Sequence, residues 1–339
     1  MLETIVFSAL SFFKEGFMID FDLFCDTVNS NIMHYIPKER SNITVEMVHQ
    51  EKVNLGKRTG LAFREGNGAY GNTVYLENYY RSFVEGEEQI DRIMENIVKE
   101  GLNGIEASKS LDLPTHYLKS WDQARDHVFM HAIGKSRNEE LLKTVPHRTW
   151  GDISCVYRIR LQGGPVISSV LVNDEMAERY GISEADLYEA AYHNMLREEP
   201  PVLTTIEAGM QAEMMRNFGG HAEADQYILE HDMLKGNGSP DDSDTQLFIL
   251  TSKHMESGAG VVFIPGLIEN IGRIFKNGFA VIPSSTMECL ILPMEAGISA
   301  KDLKEMISDI NQNEVDVQDR LSDFPLYWDS DQKRLVSVS

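Results

Sequence analysis

Apolar residues recur every three or four positions in several stretches of this chain, the spacing typical of amphipathic helices. Phe21, Phe24, Val28 and Ile32 form one such stripe, and Pro37 closes the segment behind it. Further stripes predict helices over 79–99, 138–143, 174–180, 184–196 and 299–311. The helix over 184–196 begins with Ser183 and has Asp186 three residues later, which resembles a capping box.

Other stretches are predicted as strands because they are short, apolar and bounded by turn residues. They cover 44–48, 60–63, 73–76, 153–161, 167–172, 247–251, 279–282 and 289–292. A strand followed by a helix is predicted over 260–275, and a hairpin turning at 329–332 ends the chain. Since strands and helices do not alternate strictly, the pattern favours an α+β fold. It consists of mixed sheets with flanking helices in two packed regions, rather than a doubly wound sheet.

Small and polar residues dominate 101–114, a composition typical of a linker. We therefore divide the chain into an N-terminal α+β region (18–100), a linker (101–118) and a C-terminal α+β domain (119–339). The turn-rich run 236–242 predicts an acidic mobile loop near 219–245 within the C-terminal domain.

The first 17 residues contain an apolar run, 5–13, that is too short to span a bilayer. No basic stretch precedes it, so it is a poor secretory signal. We interpret 1–17 as a leader from a misplaced start codon and Met18 as the true start. Cys25, Cys155 and Cys289 share no metal-ligand spacing, and their odd number without a signal peptide predicts reduced thiols in the cytoplasm.

Charge narrows the choice of partners. The chain has 53 acidic residues against 31 Lys and Arg, a net charge of −22. Such a surface repels phosphate backbones, so we expect no binding to nucleic acid or to anionic membrane. Between Asp174 and Asp244 there are 17 acidic and 4 basic residues, a net charge of −13. These acids are interpreted as solvated faces, or alternatively as a surface that imitates nucleic acid or attracts a protein partner with a basic surface.

Two polar clusters carry candidate chemistry. His147, Arg148 and Asp152 follow Pro146 and precede the predicted strand 153–161. An imidazole can exchange protons near neutral pH, an arginine can bind an anion, and an aspartate can orient either group. The cluster can equally be a hydrogen-bonded corner in which Asp152 pairs with Arg148 or accepts backbone N–H bonds.

The second cluster is Ser284, Ser285 and Glu288, between two predicted strands. Two hydroxyls and a carboxylate can bind a ligand or stabilise a tight turn. No G-x-S-x-G motif surrounds either serine, so a hydrolase signal is weak. No feature of the sequence predicts the oligomeric state.

No cofactor or metal site is expected. The run 66–71 matches G-x-G-x-x-G, but a strand rather than a helix is predicted after it, so it is interpreted as a hairpin connection. His127 and His131 have the i, i+4 spacing of helical metal ligands, without the third ligand of an H-E-x-x-H site.

The segments 145–152 and 282–288, together with Leu326-Tyr327-Trp328, resemble signatures of an uncharacterised bacterial family of unknown function, DUF5688. The resemblance begins near Met18. It indicates the family to which the chain is related, but it does not indicate an activity. Those relatives usually carry His where this chain has Met287, which removes the simplest base for a serine nucleophile. We therefore expect a non-catalytic binding or regulatory protein. The alternatives are an enzyme whose cleft joins the two polar clusters, and an acidic nucleic-acid mimic or binder of a basic protein.

Overall fold

A computed structural model of the chain describes residues 19–66, 70–110, 115–161, 168–242, 246–294, 299–313 and 315–337. The predicted leader, 1–17, lies outside the described residues. The chain divides into two compact units. Unit 1 comprises Met1–Lys52 and Lys57–Asp112, and unit 2 comprises Val53–Gly56 and Leu113–Ser339.

Among its described residues, unit 1 combines one antiparallel sheet with three α-helices. The strands β1 (Ile43–Lys52), β2 (Gly56–Glu65) and β3 (Tyr70–Tyr75) lie in that order in the sheet. The helices are α1 (Phe21–Asn31), α2 (Glu77–Val84) and α3 (Ile90–Ser110). The stripe residues Phe24, Val28 and Ile32 are fully buried and pack with the apolar face of α3. Apolar periodicity therefore identified the core of this unit.

The beginning of the predicted linker is helical, not extended. Helix α3 continues to Ser110 because Gly101 and Gly104 act as packing positions. A Cβ atom at Gly101 would lie 2.6 Å from the Phe63 ring, and one at Gly104 would lie 2.2 Å from the Asn72 side chain. The two glycines let the helix approach the sheet closely, which a local count of small residues cannot distinguish from a linker.

Unit 2 contains two antiparallel sheets among its described residues. In the smaller sheet, β6 (Ile153–Leu161) pairs with β4 (Val128–Gly134) along one edge. Along its other edge it pairs first with β5 (His147–Trp150) and then with β7 (Ser168–Leu171). The larger sheet has the order β13-β12-β10-β11-β9-β8. Its strands are β8 (Pro201–Thr205), β9 (Phe248–Ser252), β10 (Phe279–Ser285), β11 (Glu288–Pro293), β12 (Leu326–Asp329) and β13 (Arg334–Ser337).

Helices flank these sheets. In chain order they are α4 (Trp121–Ala124), α5 (Glu139–Leu142), α6 (Asp174–Tyr180), α7 (Glu184–Glu198), α8 (Ile206–Asn217), α9 (His221–Glu230), α10 (Leu267–Ile274) and α11 (Ala300–Asn313). The capping box at the start of α7 is present, with Ser183 and Asp186 bonded to each other's backbone. Buried residues of both sheets share one core with α7 and α10. The α+β prediction is confirmed.

Two local predictions are corrected. The strand expected after Gly260 is a 3₁₀ helix, Gly258–Phe263. Part of the acidic loop expected near 219–245 is helix α9, because Ala224 and Ile228 pack against Val202 and Ala212. No helix in the described ranges is both long and apolar enough to cross a membrane.

Candidate functional site

The first predicted cluster is divided between the two faces of the smaller sheet. His147 pairs with Val156 and Arg148 pairs with Cys155 in the β5–β6 ladder, so their side chains point to opposite faces. His147 is exposed, and its Nδ1 atom lies 3.0 Å from the carbonyl oxygen of Val145. His147 and Arg148 are therefore not arranged to contact the same small ligand.

Arg148 is held by an internal network. Its Nε and Nη2 atoms donate to the two carboxylate oxygens of Glu184, each at 2.9 Å. Its guanidinium lies 3.1 Å from the centre of the Tyr188 ring, and the Tyr157 hydroxyl donates to Glu184. A bidentate ion pair stacked on an aromatic ring leaves the guanidinium little capacity for an external anion.

Asp152 forms a structural corner. Its Oδ1 atom accepts from the Ser136 backbone N–H at 3.0 Å. Its Oδ2 atom accepts from the hydroxyls of Ser136, at 3.0 Å, and Ser322, at 2.8 Å. The carboxylate thus joins the β5–β6 turn to two other segments of unit 2, an arrangement that explains an aspartate here without any ligand.

The second predicted cluster surrounds the tight turn between β10 and β11. Ser285 accepts from the Met287 backbone N–H at 3.1 Å, and Ser284 is half-buried on β10. Thr286 is buried and donates through Oγ1 to Asp319 at 3.0 Å. Burial raises the pKa of Glu288, and the nearby Glu213 carboxylate raises it further. Ser285 serves the turn, while Glu288 lies near α8, the helix that carries Glu213.

A different set of polar residues shares the sheet face that carries His147. His131 on β4 and His147 on β5 both pair with Val156 of β6, so all three point to one face. Arg158 and Arg160 follow Val156 at alternate positions and point the same way. The face therefore gathers two arginines and His131 in a protein whose net charge is −22.

Arg158 is the most unusual member of this set. Its Nε atom donates to Ser169 Oγ at 2.8 Å and its Nη2 atom to the Ser169 carbonyl at 3.3 Å. Among the described residues it forms no ion pair, and burial lowers the pKa of its guanidinium. Arg158 is half-buried. A cation partly withdrawn from water ordinarily has an anionic partner, since removing charge from water is costly. The carboxylate partner expected for Arg158 is missing from the described part of unit 2.

Arg160, two residues further along β6, shows the ordinary arrangement. Its Nη2 atom forms an ion pair with Glu199, whose side chain is only 4% exposed. Its guanidinium also lies 4.9 Å from the centre of the Phe129 ring. Ser252 donates to the other Glu199 oxygen at 3.3 Å, so this pair is embedded in unit 2.

The segment between β9 and the 3₁₀ helix supplies a serine to this face. Ser257 Oγ lies 3.0 Å from His131 Nδ1. Met255 and Ser257 both have left-handed backbones, with φ of 57° and 48°. A non-glycine residue in this region is strained, and such strain concentrates at functional sites.

The β10–β11 turn supports this strained segment. A Cβ atom at Gly258 would lie 2.1 Å from Thr251 Oγ1 and 2.3 Å from the Met287 carbonyl oxygen. The Ala259 backbone N–H donates to the Thr286 carbonyl at 3.3 Å. The second predicted cluster therefore contributes to the site indirectly, by fixing the backbone that follows Ser257.

The electrostatics of the face favour anion binding. Burial lowers the pKa of His131 to about 3, and the positive charge of Arg158 lowers it further. The imidazole is therefore neutral at neutral pH, and Arg158 carries the uncompensated charge. We define the Arg158 site as Arg158, His131, Ser257 and Ser169. It presents one cation with neutral hydrogen-bonding groups beside it, which suits a phosphate or carboxylate group.

In the sequence, His131 is a candidate only as a metal ligand, and Arg158 and Ser257 are not among the predicted site residues. The sequence feature that could have identified Arg158 is its position on β6. Arg158 and Arg160 occupy alternate positions of an otherwise apolar strand, and a charged residue on such a strand requires a partner. His127, the other half of the i, i+4 pair, stacks on Tyr117 with ring centres 3.8 Å apart. No group of three or more His, Cys, Asp or Glu able to hold a metal occurs among the described residues.

A sequence model of one protein family, described as a family of unknown function (DUF5688), matches residues 21–330. No curated protein and no solved structure matches the chain. The match spans both units and includes every residue of the Arg158 site.

Proposed function

The chain belongs to the family of unknown function DUF5688, and from this premise we propose that it is a non-catalytic binding protein for a small anionic ligand. The ligand carries a phosphate or carboxylate group that Arg158 binds. The observation that supports this proposal is a half-buried guanidinium whose hydrogen-bond partner among the described residues is Ser169 alone. A ligand anion supplies the missing partner.

Neighbouring groups can complete the recognition of such an anion. The Ser257 hydroxyl can donate to a ligand oxygen, and its strained backbone holds it beside His131. The His131 imidazole is neutral before binding, so it adds no second charge to be neutralised. A ligand anion close to His131 favours protonation of the ring, which couples binding to pH.

A second candidate function is acyl transfer by Ser257, which the 3.0 Å contact with His131 favours. In that reaction Ser257 Oγ attacks a carbonyl carbon and its proton passes to His131. The bond between the carbonyl carbon and the leaving group breaks, and the leaving group takes the proton from His131. Water then hydrolyses the ester formed on Ser257. An imidazole with a pKa of about 3 is a weak base for this transfer. The low basicity of His131 therefore favours binding over catalysis at this site.

Titration calorimetry with inorganic phosphate and with succinate tests the binding proposal. We expect the unmodified protein to bind at least one of these probes and Arg158→Met to bind it at least about tenfold more weakly. Arg125→Met is the matched control, because Arg125 lies in the same unit with a 56% exposed side chain near Asp126. Equal binding by Arg158→Met and the unmodified protein would overturn the proposal.

Hydrolysis of p-nitrophenyl acetate tests the second candidate. Turnover that exceeds the background and disappears in Ser257→Ala would place catalysis ahead of binding. Turnover that is unchanged in Ser257→Ala would remove the acyl-transfer candidate.

The proposal also places the protein in the cytoplasm. Cys25, Cys155 and Cys289 are all buried and unpaired with one another. Buried free thiols suit a reducing compartment. Burial raises the pKa of the Cys25 thiol to about 12, so this thiol stays protonated and unreactive at neutral pH.

A further inference from the structure

Helix α8 presents an apolar stripe to solvent. Met210, Met214 and Phe218 follow one another at four-residue spacing, and their exposed fractions are 62%, 49% and 86%. Met210 and Met214 lie on one side of α8, and Phe218 is the residue directly after its last turn. We call these three exposed side chains the ridge. Exposed apolar residues are common singly, but three on one ridge indicate a contact surface.

The ridge is not required for the packing of α8. The helix packs inward through Ala208, Gly209 and Ala212, which are buried. Gly209 allows close approach to the larger sheet, since a Cβ atom there would lie 2.4 Å from Ile249 Cδ1. Met215 also packs against the cluster that contains Val202 and Ala212, whereas Met210 and Met214 point away from it.

A carboxylate flanks the ridge on α8. Glu213 is exposed, and its helical position places it beside Met210 and Met214. Beyond α8, the β10–β11 turn adds Met287, which is 42% exposed, and the Glu288 carboxylate. The influence of Glu213 on the pKa of Glu288 shows that these two carboxylates are neighbours. Methionines and acids thus continue from α8 onto the turn.

The only basic residue within α8 is directed elsewhere. Arg216 donates to Asp225 at 2.5 Å and to the Lys253 carbonyl at 2.7 Å. From Ile206 to Glu230, helices α8 and α9 have five acidic residues and one basic residue, a net charge of −4. The ridge therefore lies in a negative field.

We propose that this surface, the ridge of Met210, Met214 and Phe218 with its flanking carboxylates, docks a basic amphipathic helix of a partner protein. Charge complementarity identifies the occupant: lysines and arginines of the partner face the carboxylates, while its apolar side chains cover the ridge. Unbranched methionines adapt to partner side chains of differing shape. This surface shares no residue with the Arg158 site. Docking of a partner helix would therefore be a function additional to the proposed anion binding.

A synthetic helical peptide of leucine and lysine, with leucines at helical spacing, is the probe for this surface. Its counterpart replaces every lysine with glutamate. We expect the lysine peptide to bind the full chain and the glutamate peptide not to bind. The triple variant Met210→Gln, Met214→Gln and Phe218→Gln should weaken binding of the lysine peptide at least about tenfold.

A matched variant controls for general loss of exposed apolar surface. Leu23→Gln, Met33→Gln and Val84→Gln alter side chains that are 53%, 50% and 54% exposed in unit 1. This variant should bind the lysine peptide as the unmodified protein does, and Arg158→Met should do the same. Thermal unfolding of each variant verifies that it is folded at the temperature of the assay.

Added salt separates the two contributions to docking. Binding should weaken as salt screens the carboxylates, and Glu213→Gln should reduce this salt dependence. Equal binding of the lysine peptide by both triple variants would overturn the proposal, because attraction would then come from the net charge alone. Sedimentation equilibrium showing that the unmodified chain dimerises through the ridge would also overturn it, by naming a second copy as the occupant.

Discussion

Ser322 donates a hydrogen bond through Oγ to Oδ2 of Asp152 at 2.8 Å, although the two residues are 170 positions apart. Ser322 is 1% exposed, so its hydroxyl has no alternative partner in water. This contact ties the β5–β6 turn to the segment that precedes β12. It gives Asp152, a residue selected from the sequence for chemistry, a structural role.

Asp152→Ala should therefore lower the free energy of unfolding by about 1–3 kcal/mol, because it leaves the Ser136 and Ser322 donors without their acceptor. Urea denaturation measures this change. His147→Ala is the control on the same sheet and should cost less, since His147 is exposed and contacts only the Val145 carbonyl through Nδ1. Equal stability of Asp152→Ala and the unmodified protein would contradict the structural role.

Arg158→Met and Arg160→Met should have different effects on stability. Replacing Arg158 removes a half-buried cation without a carboxylate partner among the described residues, so stability should stay unchanged or rise by about 1 kcal/mol. Replacing Arg160 leaves the Glu199 carboxylate buried without its cation and should cost about 3–5 kcal/mol. Chemical denaturation of both variants in ligand-free buffer measures the contrast, and a large loss for Arg158→Met would indicate a purely structural arginine.

Stability should depend on pH through His131. Its pKa is about 3 in the folded protein, below the ordinary value for histidine, so the unfolded chain binds a proton that the folded chain excludes. The stabilisation is therefore fully present above the unfolded pKa of about 6.5 and is lost as pH falls toward 3. Between about pH 7 and pH 5, this group should account for roughly 1 kcal/mol or more of the loss.

His131→Gln should remove that part of the pH dependence, because glutamine cannot be protonated and can still bond Ser257. His147→Gln is the matched control, since it removes an exposed imidazole from the same sheet face. Denaturation midpoints measured across this pH range compare the two variants. If His131→Gln keeps the slope of the unmodified protein, the folded protein does not exclude the proton.

Gly258→Ala should destabilise unit 2 by about 3 kcal/mol, because the added Cβ atom would meet Thr251 Oγ1 at 2.1 Å and the Met287 carbonyl oxygen at 2.3 Å. Gly181→Ala separates this clash from backbone strain. Gly181 has φ of 69° with nothing within 4 Å, so its substitution should cost only about 1 kcal/mol. Thermal unfolding compares the two variants, and similar values would show that the segment after Ser257 can move aside.

Features that depend on local periodicity and local capping can be predicted from the amino-acid sequence alone. The bounds of β6 and α6 agree with those predicted, and Ser183 caps α7 through Asp186. The α+β class and the family resemblance also followed from the sequence, and both are confirmed. A strand or helix that buries one face has apolar residues at regular spacing. This spacing can be recognised in the sequence without knowing which elements the buried face contacts.

The partners of the polar residues become known only when the folded chain is seen. In the sequence Gly101 has the character of a linker residue, whereas in the structure it packs against Phe63. Arg148 could bind an anion by its residue type, but in the structure it contacts Glu184 and Tyr188. Arg158 and Arg160 are equivalent in sequence pattern, yet Glu199 approaches only Arg160. Ser257 meets His131 across 126 positions. Such pairings depend on how distant strands and connections are brought together, and the free energy of a buried charge is set by these distant neighbours rather than by its own segment.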